Sequence, residues 1–557
     1  MSHRRSQQKK SQAKILEVSL EELGAIVERT KAVLSPEDHL KLKTSLDTLG
    51  FVMEEVRRKA TSIKRLRAML FGASTERTSQ VVGDGHAGHQ EDEKTASAAT
   101  DKKAKGKPDK AKRKGHGRNG AAAYPGAEKV HIPHPTLHAG DGCPKCPKGH
   151  VYPLSVPAVQ VRFTGVAPLA AKIYEEDQFR CNLCLEVFTA PVPEEVGEEK
   201  YDETATAMIG QLRYGSGLPF NRLEQLQQGM GIPLPAATQW ELVRDGAELL
   251  RPVQEELIRE AAQGTVLHND DTPMTVLELI AKRREAALAG EETDGRTGVF
   301  TSGIVSMSQG HPIALFFTGV QHAGENLADV LAKREAGLPK PIQMCDALAA
   351  NTAGDFETIL ANCNGHARRK YVEVAEDFPA ECRFVLETLR DVYKNDAIAR
   401  EQEMSPTQRL RFHKAESGPL MEGLEKWMKE QLAEHKVEPN SGLGEAIRYM
   451  QTHWSELTLF LRKAGAPLDN NICERALKKA IRHRKNSLFY KTLNGARVGD
   501  AFMSIIHTAE LNEVKPFPYL VALLRNHQEV AKAPADWMPW NYCDTLARLG
   551  AKTDPPH

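Results

Sequence analysis

Thr265-Val266-Leu267-His268-Asn269-Asp270-Asp271 is a short apolar run that closes on two carboxylates, and Pro341-Ile342-Gln343-Met344-Cys345-Asp346 repeats the pattern with one. Runs of this length, bounded by polar and turn residues, read as strands. Between them, residues 275–280, 299–307 and 312–318 are strand-like, and a helix is expected near 325–334. Upstream, residues 203–260 look helical. Two segments, 221–228 and 235–250, flank a turn with Gly229, Gly231 and Pro233. That is helix-turn-helix spacing, although ordinary helical hairpins share it. Downstream, residues 365–460 are helical and charged. Residues 469–530 are helical again, with a basic run from Lys478 to Lys485.

The acids suggest chemistry. Glu474 lies in Asp469-Asn470-Asn471-Ile472-Cys473-Glu474-Arg475-Ala476, on an expected helix. Two strand-end Asp residues and a helical Glu form a hard oxygen set suited to Mg²⁺ or Mn²⁺. Two such ions can activate a nucleophile and stabilise the leaving oxygen of a phosphodiester. Each acid taken singly reads first as a solvated or capping carboxylate, since the chain has 74 Asp and Glu to choose from.

The sharpest local pattern is Cys143-Pro144-Lys145-Cys146 with Cys181-Asn182-Leu183-Cys184. Two CxxC knuckles supply four thiolates for a tetrahedral Zn²⁺ site, with no position left open for catalysis. A redox pair would explain one CxxC and not two. Cys345, Cys363, Cys382, Cys473 and Cys543 read as small buried residues.

With 557 residues the chain exceeds one ordinary core, so several units are expected. Hydrophobic residues at 41% suffice for globular domains. No run approaches the roughly 20 apolar residues of a membrane span. The basic N-terminus has no apolar stretch after it, so no secretory signal is expected. Lys+Arg and Asp+Glu both number 74, yet residues 102–118 hold nine Lys/Arg against one Asp. The zero sum therefore leaves room for a local DNA surface.

Residues 14–70 read as two helices. Ser35-Pro36-Glu37-Asp38 separates them, with Ser as N-cap, Pro at the first helical position and Asp closing a capping box. Then Leu42, Leu46, Leu49, Met53, Val56, Ala60 and Ile63 alternate at gaps of four and three, a coiled-coil seam that predicts self-association. Residues 80–120 lack periodicity and read as a basic disordered linker.

Taken together these strings resemble the large transposase of the insertion-sequence-66 family, bacterial DDE transposases. Leu70-Phe71-Gly72-Ala73-Ser74-Thr75-Glu76-Arg77 is similar to the box that closes the family's N-terminal helices, and the two CxxC pairs match its zinc-binding domain. His268-Asn269-Asp270-Asp271-Thr272-Pro273 resembles the first catalytic motif, and Cys363-Asn364-Gly365-His366-Ala367-Arg368-Arg369-Lys370 the stretch after the second Asp. The most specific match is Asp469 to Leu477 with Arg484-Lys485-Asn486-Ser487-Leu488-Phe489. Thr508-Ala509-Glu510-Leu511-Asn512 and Met538-Pro539-Trp540-Asn541 complete it. There are departures: Asp271 stands where Glu is usual, Asn364-Gly365 replaces Trp-Ala, and the segment after Asp346 lacks the expected Tyr.

The resemblance implies a multidomain α/β protein. Its parts would be an N-terminal helical coiled coil (1–79), the basic linker (80–120), a zinc-binding β domain (121–200) and a helical domain with helix-turn-helix spacing (201–260). An RNase H-like DDE catalytic core (261–485) with a helical insertion at about 370–460 would follow, then a C-terminal helical domain (486–557). The first Asp would lie on a central strand and the second on a neighbouring one. Asp270, Asp346 and Glu474 take the catalytic and Mg²⁺ or Mn²⁺ positions, and Cys143, Cys146, Cys181 and Cys184 hold Zn²⁺. Arg475, Arg482, Arg484, Lys485, Arg368 and Arg369 are candidates for DNA phosphate. The implied activity is cleavage at the ends of an insertion sequence and joining to target DNA. It would act as a homo-oligomer, with accessory proteins of the same element, in the bacterial cytoplasm at the nucleoid and without membrane. The competing expectations are a non-catalytic DNA-binding regulator and a plain RNase H-like nuclease.

Overall fold

A computed structural model describes residues 20–31, 34–48, 135–136, 138–142, 144–145, 148–152, 167–175, 177–180, 187–191, 199–289, 296, 298–354 and 356–553. The basic linker, the Leu70–Arg77 box, all four CxxC cysteines and the seam from Leu49 onward lie outside these residues. The described chain is mixed α/β and mostly helical.

In chain order come α1 (Leu20–Thr30), α2 (36–48), β1 (Gln178–Arg180), β2 (Val187–Thr189), α3 (Glu203–Gly210), α4 (Phe220–Gly229) and α5 (Ala236–Ala262). Next are β3 (Val266–Pro273), α6 (Leu277–Ala289), β4 (Phe300–Ser308), β5 (His311–Gly319), α7 (Ala323–Leu331), β6 (Ile342–Cys345) and β7 (Ile359–Asn362). Helices α8 (Asn364–Val374), α9 (Pro379–Glu401), α10 (Pro406–Glu416), α11 (Gly418–Ala433), α12 (Gly442–Thr452) and α13 (Trp454–Leu457) follow. The chain closes with α14 (Asn471–Ser487), α15 (Leu493–Leu511), α16 (Pro516–Arg525), α17 (His527–Lys532) and α18 (Tyr542–Thr553).

The chain divides into two compact units. One takes Met1–Ala87, Lys340–Thr352 and Glu357–Asn471. It contains the parallel pair β6 and β7, in register Ile342↔Ile359 to Cys345↔Asn362, followed by the expected helical block. Buried Leu386, Leu389, Leu424, Met428, Leu443 and Ile447 form its interior. At its N-terminal end, Asp38 N–H donates to Ser35 Oγ at 3.2 Å, so Ser35 is the N-cap that the sequence predicts. The Asp38 carboxylate accepts from the Ser35 hydroxyl at 2.7 Å.

The other unit takes Gly88–Pro339, Ala353–Phe356 and Ile472–His557. Its centre is the antiparallel meander β3–β4–β5, in register Val266↔Met307 to Pro273↔Phe300 and Phe300↔Gly319 to Ser308↔His311. Six consecutive residues of β4, Thr301 to Ser306, are buried, as in a strand covered on both faces. Leu250, Val253 and Leu257 of α5, Ile304 and Phe316 of the meander, and Phe502 and Ile506 of α15 belong to one hydrophobic core. The expected borders at 260 and 486 therefore run through a shared core. The exposed face of α5 pairs Arg244 with Asp245 and Arg251 with Glu248 and adds exposed Glu241 and Glu255, so it is net acidic and offers no basic surface for DNA phosphate.

One expectation is corrected. Residues 275–280 are not a strand: Val276 makes a single bridge to Tyr490, and α6 begins at Leu277. The apolar run misleads because Leu-Glu-Leu-Ile-Ala-Lys-Arg-Arg-Glu-Ala-Ala-Leu-Ala is rich in strong helix formers.

The outer edge of β5 is sealed by side chains from α15. Asp500 accepts from Thr318 N–H at 2.7 Å, Ser504 Oγ from Phe316 N–H at 3.0 Å, and Thr508 Oγ1 from Ala314 N–H at 3.0 Å. Asn512 Nδ2 donates to Pro312 O at 2.9 Å. Four helix residues rise about 6 Å and two strand residues about 6.6 Å, so the two series stay in step. Burial pushes Asp500 up to about 7 against the pull of its hydrogen bonds from Thr318. Thr508→Val orphans a buried N–H, so it should cost about 1–3 kcal/mol. A melting temperature several degrees lower, restored by Thr508→Ser, checks this; an unchanged one contradicts it.

Candidate active site

Asp270 is the fifth residue of β3, half-buried, opposite Gly303 of β4. Helix α14 sits on that glycine. Cys473 Sγ donates to Gly303 O at 3.2 Å, and a Cβ at Gly303 would lie 2.9 Å from Leu477 Cδ2 and 3.4 Å from Cys473 Sγ. Gly303 thus lets the first turn of α14 approach the meander at the cross-strand partner of Asp270. Glu474, half-buried in that turn, is the neighbour of Cys473. The helix start is organised by Asp469, which accepts from Asn471 N–H at 3.1 Å and from its side chain at 2.6 Å.

Asp271 has a different task. Its carboxylate accepts from the Ser302 hydroxyl at 2.6 Å and from Ala323 N–H, the first residue of α7, at 3.0 Å. The His322 ring is also 3.0 Å away. It ties β3, β4 and the start of α7 together, whereas Asp270 Oδ1 accepts from Asp271 N–H at 2.8 Å.

Asp346 follows β6 directly and is 9% exposed. Its Oδ1 accepts from Asn351 Nδ2 at 2.6 Å and from Leu348 N–H at 3.1 Å. Asn362 of β7 donates to its backbone carbonyl at 3.4 Å. Oδ2 accepts no hydrogen bond among the described residues. One oxygen is fixed and the other is left, so the group can offer an oxygen to a hard cation. Tyr449 of α12 lies near it; burial and then the Asp346 charge push its phenol up to about 12.

The basic residues separate into two groups. On α14, Cys473, Ala476, Leu477, Ala480 and His483 are buried, while Arg475, Lys478, Arg482 and Lys485 are exposed at gaps of three, four and three. Those four form one stripe that begins beside Glu474. Arg484 instead faces inward, donating to Thr272 Oγ1 at 3.0 Å and to the Pro273 carbonyl, and so holds the end of β3. Arg368 and Arg369 on α8 are half-buried and already interact within the protein.

The other matched strings have structural work. Thr508 and Asn512 seal β5, Glu510 pairs with Lys479 at 2.8 Å, and Trp540 stacks on His311 at 4.4 Å beside the β4–β5 turn. Sequence reasoning missed Asn351 and Asn362 as supports of Asp346. It also passed over Lys478 as a member of the stripe, which the three-four-three spacing alone could have revealed.

The sequence pattern described as Transposase IS66 family matches residues 199–498, more than half of the chain. The chain belongs to this family, which makes it transposase-related and implies DNA as its partner and a divalent metal as cofactor. It is similar to three uncharacterized proteins of Sinorhizobium fredii (strain NBRC 101917 / NGR234). Protein y4jD is 23% identical over 524 residues, covering 90% of this chain and 98% of its own. Protein y4hP is 24% identical over 404 residues, covering 67% and 69%. Protein y4qI is 26% identical over 361 residues, covering 61% and 62%. No helix among the described residues is long and apolar enough to cross a membrane.

Proposed function

We propose that this chain is an active DDE transposase with an RNase H-like core. Water attacks a phosphodiester at the element end and frees a 3′-hydroxyl. That hydroxyl then attacks a target phosphodiester, displacing the target's own 3′-oxygen. No covalent protein–DNA bond forms. The observation that carries this reading is the seat of α14 on Gly303, which draws the turn of Glu474 to the strand pair of Asp270 across 204 residues of sequence. The donor set fits Mg²⁺ or Mn²⁺: Asp270, Asp346 and Glu474 are hard oxygen ligands, and Asp346 keeps Oδ2 unhydrogen-bonded. Such ions, when bound, activate the nucleophile and stabilise the leaving oxygen. The stripe Arg475, Lys478, Arg482 and Lys485 would track DNA phosphates away from Glu474.

The test is cleavage and joining of the element's own terminal repeats in vitro with Mg²⁺ or Mn²⁺, with and without the element's accessory proteins. DNA binding without any product under either condition would favour a non-catalytic regulator.

We also propose the structural zinc site and self-association through the 42–63 seam. Support for zinc comes from the flanks of each CxxC. Strands β1 and β2 pair Arg180 with Val187 on either side of residues 181–186, and Gly142 bridges His150 around residues 143–149. One Zn²⁺ per chain is expected by elemental analysis. Cys181→Ser should lose it and unfold the local domain, since metal binding in such a site is folding free energy. Zinc-free wild-type protein would sink this assignment.

A further inference from the structure

Lys370, the residue at the exposed end of Arg368-Arg369-Lys370, sits with its Nζ 4.4 Å from the centre of the Tyr449 ring. The two residues come from α8 and α12, which pack together in the same unit as Asp346. Lys370 is exposed and makes no ion pair among the described residues, so the ring face is what holds its ammonium. All three of its N–H donors remain available. The phenol of Tyr449 reaches toward the second Asp. Its oxygen lies within electrostatic reach of Asp346 and of the Ala347 backbone N–H, one residue beyond. A phenol carries an O–H that it can donate.

An uncompensated ammonium and a phenol O–H, both donors, thus meet beside a carboxylate that has one oxygen free. A metal cation gains nothing from donors. A neutral ligand would leave the lysine charge unpaired. A phosphate diester offers two non-bridging oxygens and one negative charge, and lysine binds phosphate as a point charge. We propose that Lys370 and Tyr449 bind a backbone phosphate of the DNA strand presented to Asp346. This rests on the transposase reading of that carboxylate, and it assigns the helical block a part in holding DNA.

The experiment uses the full chain. Binding of a terminal-repeat duplex is followed by fluorescence anisotropy over a range of salt, joining is followed by product formation, and melting temperature reports folding. Lys370→Ala should weaken binding about three- to tenfold and lower the slope of log affinity against log salt by about one. Lys370→Arg should restore both. Tyr449→Phe keeps the ring under Lys370, so the salt slope should hold, while affinity falls and joining slows about tenfold through loss of one hydrogen bond to a charged group. An unchanged salt slope in a folded Lys370→Ala chain overturns the phosphate assignment. Full-rate joining by Tyr449→Phe overturns the part given to the phenol. A wild-type chain that binds duplex but joins nothing removes the proposed reaction instead, and the salt slope still decides the lysine.

Discussion

Asp270→Asn, Asp346→Asn and Glu474→Gln are each expected to leave the chain able to bind terminal-repeat DNA and unable to cut or join it. Each change keeps shape and removes one negative charge from the oxygen set. Replacing a supporting partner of a metal ligand costs about 10- to 100-fold, so loss of a ligand itself should exceed the upper figure. Binding, which we propose rests on the exposed stripe of α14, should persist, because Lys and Arg contacts to phosphate supply most of the affinity. Asp271→Asn should behave differently. Its carboxylate accepts from Ser302 and from the α7 N-terminus, so the change should lower the melting temperature more than it lowers the joining rate. Equal loss of joining in Asp270→Asn and Asp271→Asn at equal stability would mean the two roles are misassigned.

The second large effect is a pair of glycine substitutions with opposite signs. Gly444 lies in the first turn of α12, where a Cβ would stand 2.2 Å from Glu438 O and 2.6 Å from Pro439 O. These are backbone atoms and cannot swing aside. Alanine gains about 1 kcal/mol of helix propensity over glycine. Overpacking costs about 1–3 kcal/mol and occasionally more, and a clash this close belongs at the top of that range. Gly444→Ala should therefore destabilise by roughly 2 kcal/mol net and displace the helix that carries Tyr449. Gly423 in α11 is exposed with nothing within 4 Å of a Cβ, so Gly423→Ala should stabilise by about 0.5–1 kcal/mol. Denaturant melts of the two variants decide it. A stable Gly444→Ala would show that the Glu438–Pro439 turn yields more easily than its geometry suggests.

Much of the fold is legible in the sequence. The Ser35 cap, the strands of Asp270 and Asp346, the helical block after residue 363 and the helix of Glu474 all follow from local patterns of spacing and punctuation. Where local reading fails, the reason is physical. Val276 to Ile280 is apolar enough for a strand, but the helix formers behind it prevail. Other features are tertiary. Nothing within α5 or α15 announces that both share a core with the meander. The polar series Asp500, Ser504, Thr508 and Asn512 becomes intelligible only when β5 is alongside. Tyr449 follows Asp346 by 103 residues, a distance no motif spans. At the site, the motif resemblance supplies the candidates Asp270, Asp346 and Glu474. The structure adds a physical distinction that spacing could not give: Asp271 is fully used as a tie, and Asp346 has one oxygen anchored and one left.

Strand transfer by the purified chain, with any accessory proteins of its element, is the most direct test. Labelled terminal-repeat DNA is incubated with a supercoiled target and Mg²⁺, and joined product is resolved on a gel. Product is expected from the wild-type chain, none after chelation of the metal, and none from Asp346→Asn despite undiminished DNA binding. Joining by Asp346→Asn at the wild-type rate would contradict that expectation.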